Sequence, residues 1–192
     1  MLPGLDTLEA KTRIATQAED PTAVLLADHE WLRGLLEEYR PLVNRGERLT
    51  EVHAAMFELR PRLELHIRRE EEAYFPAVEE LMKESGQGST FDMYGEHDAI
   101  KIRLGQLLTA LDRQSGAADA YAALTRSLLV HFENEEELIF ADAPAHLSDT
   151  ARREVLRQFE ALGAPSPGTD LPVKLKRAYE PPSPDDRERK LV

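Results

Sequence analysis

Residues 66–75 read HIRREEEAYF and residues 131–140 read HFENEEELIF. Each stretch opens on a His, places a Glu four residues later, adds two more acids and closes on apolar residues and an aromatic. The two copies begin 65 residues apart (131 minus 66). Residues i and i+4 share a helix face, so each copy sets an imidazole beside a carboxylate. The stripes on either side decide where those groups point.

Upstream of His66 the apolar stripe is Val52, Met56, Leu59 and Leu63, and it runs on through His66, Glu70 and Tyr74. Upstream of His131 it is Tyr121, Leu124 and Leu128, continuing through Glu135 to Leu138 and Ile139. The same 3.6-residue period places two further helices. One spans about residues 21–39, with Leu25, His29, Leu32, Leu35/Leu36 and Tyr39 on its stripe. The other spans about 90–113, with Tyr94, His97, Ile100, Leu104, Leu107/Leu108 and Leu111. The helices carrying the two quoted stretches span about 50–83 and 118–141. Asp20-Pro21 supplies an N-cap and a first-turn proline. Pro41 with Gly46, residues 85–89 (SGQGS) and Gln114-Ser115-Gly116 are the expected loops. Pro61 and Pro76 are expected to kink or split the second helix. A short fifth helix over 149–162 has Ser148 as its N-cap and Gly163 beyond its end.

These elements predict an all-α fold, an antiparallel up-down-up-down four-helix bundle with a short fifth helix and an extended C-terminal tail. Residues 1–20 form a lead-in, 21–162 the bundle, and 163–192 a Pro-rich tail expected to be disordered, with six of the twelve prolines.

Composition narrows the chemistry. The 192 residues are 42% hydrophobic, carry a net charge of −12 and contain no Cys. Disulfides and thiolate metal sites are therefore excluded, and a metal must be held by imidazole and carboxylate, which suits iron, manganese or zinc. The negative charge argues against a nucleic-acid partner. No apolar run is long enough to span a bilayer. The start lacks a long apolar segment of the signal-peptide kind, so the expected location is cytoplasmic.

Six polar residues occupy core-facing positions: His29, His66, Glu70, His97, His131 and Glu135. A lone core His is commonplace, but a buried carboxylate is costly unless paired or metal-bound. Antiparallel neighbours at one level lie equally far from their turn. Positions 29 and 66 have their midpoint at 47.5, beside Gly46, and positions 97 and 131 at 114, inside the Gln-Ser-Gly loop. Positions 66 and 97 give 81.5, short of the Gly86/Gly88 loop, which requires that loop to climb back along the helices. Asp28-His29-Glu30 and Glu96-His97-Asp98 also repeat, so each half supplies one His and one His-x3-Glu. Two chelating halves predict two metal ions, with water, hydroxide or oxo groups completing their shells and leaving open positions.

The ordered pattern His29, His66-x3-Glu70, His97, His131-x3-Glu135 resembles the hemerythrin-like, or HHE cation-binding, family. The similarity covers about residues 21–162 and includes DHEWLRGLLEEY, EHDAIKIRLGQLL and the two opening stretches. It implies a non-haem di-iron centre, two iron ions held by those six residues, with a diatomic (O2 or NO) or peroxide ligand at an open iron position. It separates the chain from ferritin-like bundles, in which the Glu precedes the His. The sequence departs from oxygen-carrying hemerythrin at Lys101, where that protein has a second His, and at Glu135, one residue before its Asp. Five-His ligation and reversible O2 carriage are thus not implied.

The remaining candidates have plainer readings. His53 lies 13 residues before His66, roughly 20 Å along the helix, and reads as a surface residue. His146 lies beyond the fourth helix and reads as structural. Tyr74, Tyr94 and Tyr121 read as core aromatics with hydrogen-bonded hydroxyls, Trp31 as core, and Lys101 as the partner of a nearby Glu. Glu71, Glu72, Glu136 and Glu137 read as solvated, or as partners of the histidine N–H groups. A competing functional reading is a structural or regulatory bundle in which iron, zinc or manganese locks the helices. In it the basic stretch Lys174–Tyr179 of the tail recruits a protein partner.

Overall fold

The computed structural model describes residues 20–44, 49–85 and 90–163. The lead-in 1–19, the Gly46 and Gly86/Gly88 loops and the tail 164–192 lie outside them. Among the described residues the structure is helical and contains no strand. The elements are α1 (Pro21–Asn44), α2 (Leu49–Arg69), a first π turn (Glu70–Tyr74), α3 (Phe75–Ser85), α4 (Phe91–Asp112), α5 (Ala117–Glu135), a second π turn (Glu136–Phe140), α6 (Ala143–His146) and α7 (Asp149–Leu162).

The expected start and stop signals operate. The Thr22 N–H donates to Asp20 Oδ1 at 3.0 Å, closing the cap ahead of α1. The Ala151 N–H donates to Ser148 Oγ at 3.2 Å, and Gly163 ends α7 at φ +80°. Gly116 turns the chain into α5 with φ +74°, a region glycine enters without a Cβ clash.

The prolines behave differently from expectation. Pro41 lies inside α1, which runs on to Asn44, so it does not begin the loop. Pro61 lies inside α2 and is buried, and it does not split that helix. The discontinuity comes instead at Glu70–Tyr74, where the helix widens and the Phe75 N–H bonds back to the Glu70 carbonyl. Pro76 comes next, at the second residue of α3, where its missing N–H falls beside the altered ladder.

Helix α1 packs on α2 and α4 on α5, and the pairs meet through α1–α5 and α2–α4. This packing is consistent with a four-helix bundle. The short offset of the middle pair is resolved at Thr90. Its N–H and hydroxyl both donate to Glu79, six residues before α3 ends, so the chain has climbed back by the time α4 starts.

Apolar packing falls into two clusters. One includes Leu32, Leu63, Ile100, Leu107, Leu128 and Phe132. The other includes Leu25, Tyr74, Phe75, Met93, Phe140 and Phe159, drawing α7 onto the first π turn. Between them lies a polar layer.

Candidate metal centre

That layer holds His29 of α1, His66 of α2, Glu70 of the first π turn, His97 of α4, and His131 and Glu135 of α5. All six are at most 1% exposed. They fall into two overlapping groups: His29, His66, Glu70 and Glu135, and His97, His131, Glu70 and Glu135. Both carboxylates belong to both groups, and the ligand atoms within each lie within 4.8 Å of one another.

Glu70 faces both ways: Oε1 lies 3.2 Å from His66 Nε2, and Oε2 lies 3.2 Å from His97 Nε2. Glu135 Oε2 lies 3.2 Å from His29 Nε2 and 3.3 Å from His131 Nε2. The paired imidazoles approach through Nε2, at 3.1 Å for His29–His66 and 3.0 Å for His97–His131. Ligand atoms about 2.1 Å from a common ion stand about 3.0 Å apart at 90° and about 3.4 Å apart at a tetrahedral angle. The observed separations are those of neighbouring donors on one ion.

The opposite edges of the rings fix which nitrogen carries the proton. His29 Nδ1 meets Glu136 Oε1 at 2.7 Å, His97 Nδ1 meets Glu71 Oε1 at 2.9 Å, and His131 Nδ1 meets Glu96 Oε2 at 2.9 Å. A carboxylate can only accept, so each Nδ1–H donates and each neutral ring turns an Nε2 lone pair inward. His66 Nδ1 faces Asp28 Oδ2 at 3.6 Å, beyond a direct hydrogen bond. The outer carboxylates are held in turn. Arg33 forks onto Glu136 at 2.8 and 3.1 Å, Lys101 reaches Glu71 at 2.9 Å, Arg69 reaches Asp28 at 2.7 Å and Asn134 donates to Glu96 at 2.8 Å.

Burial makes this arrangement costly in the absence of a cation. It pushes His97 down to about 2, with the neighbouring His131 charge adding to the effect. It pushes His131 down to about 4, against the opposing hydrogen bond to Glu96. His29 is lowered well below the usual histidine range for the same first reason, and His66 adds to it. Burial raises Glu70 and Glu135 well above the usual carboxylate range, and the repulsion of Glu135 adds to the shift at Glu70. All four carboxylate oxygens of Glu70 and Glu135 are buried without a hydrogen-bond partner. Buried acceptors without donors and inward lone pairs together fit a cation site better than a core network.

A family profile, Hemerythrin HHE cation binding domain, matches residues 20–143, and the chain belongs to that family. The family binds metal cations, and the His/Glu cluster fits a metal site. No curated protein and no solved structure matches the chain.

The four trailing acids divide. Glu72 pairs with Arg68 at the surface, and Glu137 is exposed. Glu71 and Glu136 instead each accept from a histidine N–H of the opposite half, the second of the two readings their sequence allowed. Lys101 pairs with Glu71, as its plain reading has it. The Tyr74 hydroxyl meets Thr22 Oγ1 at 2.7 Å, and the Tyr121 hydroxyl donates to the Leu36 carbonyl. Tyr94 is corrected, being partly exposed at the surface beside Phe75. Trp31 packs on the rim of the core with Arg62 stacked 3.8 Å above its ring. The His53 side chain lies outside the described residues, and His146 is exposed in α6.

Asp28 and Glu96 were visible in the sequence only as neighbours of His29 and His97; the placement of Asp28 beside His66 and the bond of Glu96 to His131 were not. The one signal was their repetition in register with the halves. Among the described residues no helix is long and apolar enough to cross a membrane.

Proposed function

We propose that the chain is a non-haem di-iron protein built as an antiparallel four-helix bundle, with a small ligand (O2, NO or peroxide) meeting an open iron position. The observation that carries this reading is the sharing of Glu70 and Glu135 by both donor groups. Each group offers two imidazoles and two carboxylates, a set that suits iron and leaves coordination positions unfilled. Iron supplies a Lewis-acidic, redox-active centre. The residues do the rest. His29, His97 and His131 would donate as neutral rings because Glu136, Glu71 and Glu96 accept from their Nδ1–H groups, while His66 turns its Nδ1 edge toward Asp28. Glu70 and Glu135 would each offer a carboxylate to both positions. Phe132 stacks on His29 at 4.1 Å and Phe75 on His97 at 5.7 Å, so apolar rings border the polar layer and exclude water.

Charge supports two ions. Glu70, Glu135 and the four outer acids contribute six negative charges, and Arg33, Arg69 and Lys101 contribute three positive ones. A net of three negative charges around a buried layer calls for more than one divalent ion.

The test is iron content per chain with an ultraviolet-visible spectrum, followed by titration of the reduced chain with NO, O2 and peroxide. Two irons per chain and a spectral change on ligand addition are expected. A colourless chain holding only zinc overturns the proposal. The complete burial of the six residues favours one competing reading, a metal that only locks the helices. Two bound irons inert to all three ligands would establish that reading instead.

A further inference from the structure

The two halves have the same inner residues and a different outer support. Helix α7 packs on α1, α2 and the first π turn. Its Val155 and Phe159 join the apolar cluster that contains Ala73, and the Arg69 guanidinium lies 5.6 Å from the Phe159 ring. Leu65, Arg69 and Ala73, spaced by four, run along this supported face, with Leu65 and Ala73 at 6% and 3% exposure. The positions 65 residues on are Val130, Asn134 and Leu138. Val130 is 49% exposed and Leu138 58%; on this side the four-residue α6 packs on the second π turn, in place of the fourteen-residue α7.

Metal exchange at a fully buried site requires local opening of the segments that carry the donors. Segments with fewer buried apolar contacts open at lower free energy. Opening α5 and the second π turn withdraws His131, a donor of one position only, together with the shared Glu135. Opening α2 and the first π turn withdraws His66, a donor of the other position only, together with the shared Glu70, but must first undock α7. The outer acids do not themselves differ in access, because Asp28 and Glu96 are about equally exposed, at 29% and 31%. The asymmetry is one of mechanical support.

We infer that α7 makes the two metal positions inequivalent, securing the His29/His66 position and leaving the His97/His131 position as the one that exchanges its ion first. Arg69 is a positioning residue in this scheme, joining Asp28 behind His66 to the ring of Phe159. The inference rests on the two-metal reading of the cluster.

Hydrogen exchange followed by mass spectrometry on the full chain, metal-free and ferrous-loaded, tests the support. Peptides covering 128–140 are expected to exchange about tenfold faster than those covering 63–75, the scale set by burial of one large apolar side chain. Equal or reversed rates overturn the inference. Chelator-driven release from the ferrous-loaded chain tests the consequence, with two phases expected. Phe159→Ala, and the milder Arg69→Gln should Phe159→Ala fail to fold, are expected to quicken the slow phase and leave the fast one unchanged. A chain that takes up no metal refutes the two-metal reading and this inference with it. A chain that loads two ions and releases them in one phase overturns the inference alone.

Discussion

Around His29 an Arg33 guanidinium forks onto both oxygens of Glu136, whereas around His97 a Lys101 ammonium touches one oxygen of Glu71. Arg33 and Lys101 occupy the same place, four residues after the first His of each half. A planar fork fixes the plane of its carboxylate, while an ammonium fixes only a distance. The two halves therefore present equal donors with unequal constraint. Inner chemistry repeats because a metal site demands it, and outer anchoring is free to diverge because several cations can hold a carboxylate.

The largest expected effect erases the comparison. Glu70→Ala or Glu135→Ala removes a donor that both halves share, so metal content falls below two per chain in either variant. Retention of two ions, measured by elemental analysis, would falsify the bridging role.

Removing metal also puts the halves on the same footing and exposes the protonation cost. The lowered histidines bind protons less well folded than unfolded, so they cost stability as pH falls through 6.5. The raised carboxyls bind protons more tightly folded, so they cost stability as pH rises above 4.5. Between those values the two effects oppose, and above 6.5 the gain from the histidines is complete. Thermal unfolding of the metal-free chain should therefore not move to higher temperature as pH rises above 6.5. Metal binding should release protons from the raised carboxyls. A metal-free chain whose stability climbs with pH in that window contradicts the assignment.

The comparison sharpens at the outer acids. Glu136→Gln and Glu71→Gln should each weaken metal binding by about 10- to 100-fold, each at its own position. A smaller contrast separates the anchors. Arg33→Ala should weaken binding several-fold more than Lys101→Ala, because only the fork orients its carboxylate. Equal losses in competition titrations would show that charge alone matters there. The smallest effect lies at the α7 cap: Ser148→Ala should lower stability by about 1 kcal/mol in chemical denaturation, leaving metal content at two.

Much of this was legible without coordinates. The helix positions come from a local period, and His66/Glu70 and His131/Glu135 from i,i+4 spacing, so both are written in neighbouring residues. The six core-facing groups stood out because each replaced an apolar residue on a regular stripe. Glu71 and Glu136 could not be told from Glu72 and Glu137, since by regular periodicity they fall on the polar face. One extra residue in a turn rotates the downstream helix by about 100°. The π turns at Glu70–Tyr74 and Glu136–Phe140 carry that rotation; neither contains a glycine or proline, and Pro76 marks only the first, from two residues beyond it. Pro41 and Pro61 misled in the opposite direction, because burial and packing kept their helices whole.

The sequence by itself determined the helical fold, the order of the helices, and the four histidines and two glutamates bound for its interior. These depend on spacing within one turn. Only the tertiary structure decided which acid holds which ring, since Glu136 reaches His29 across 107 residues and Glu71 reaches His97 across 26. It also decided that α7 packs on α1, α2 and the first π turn. Contacts between distant segments are selected by packing, and no local period records them.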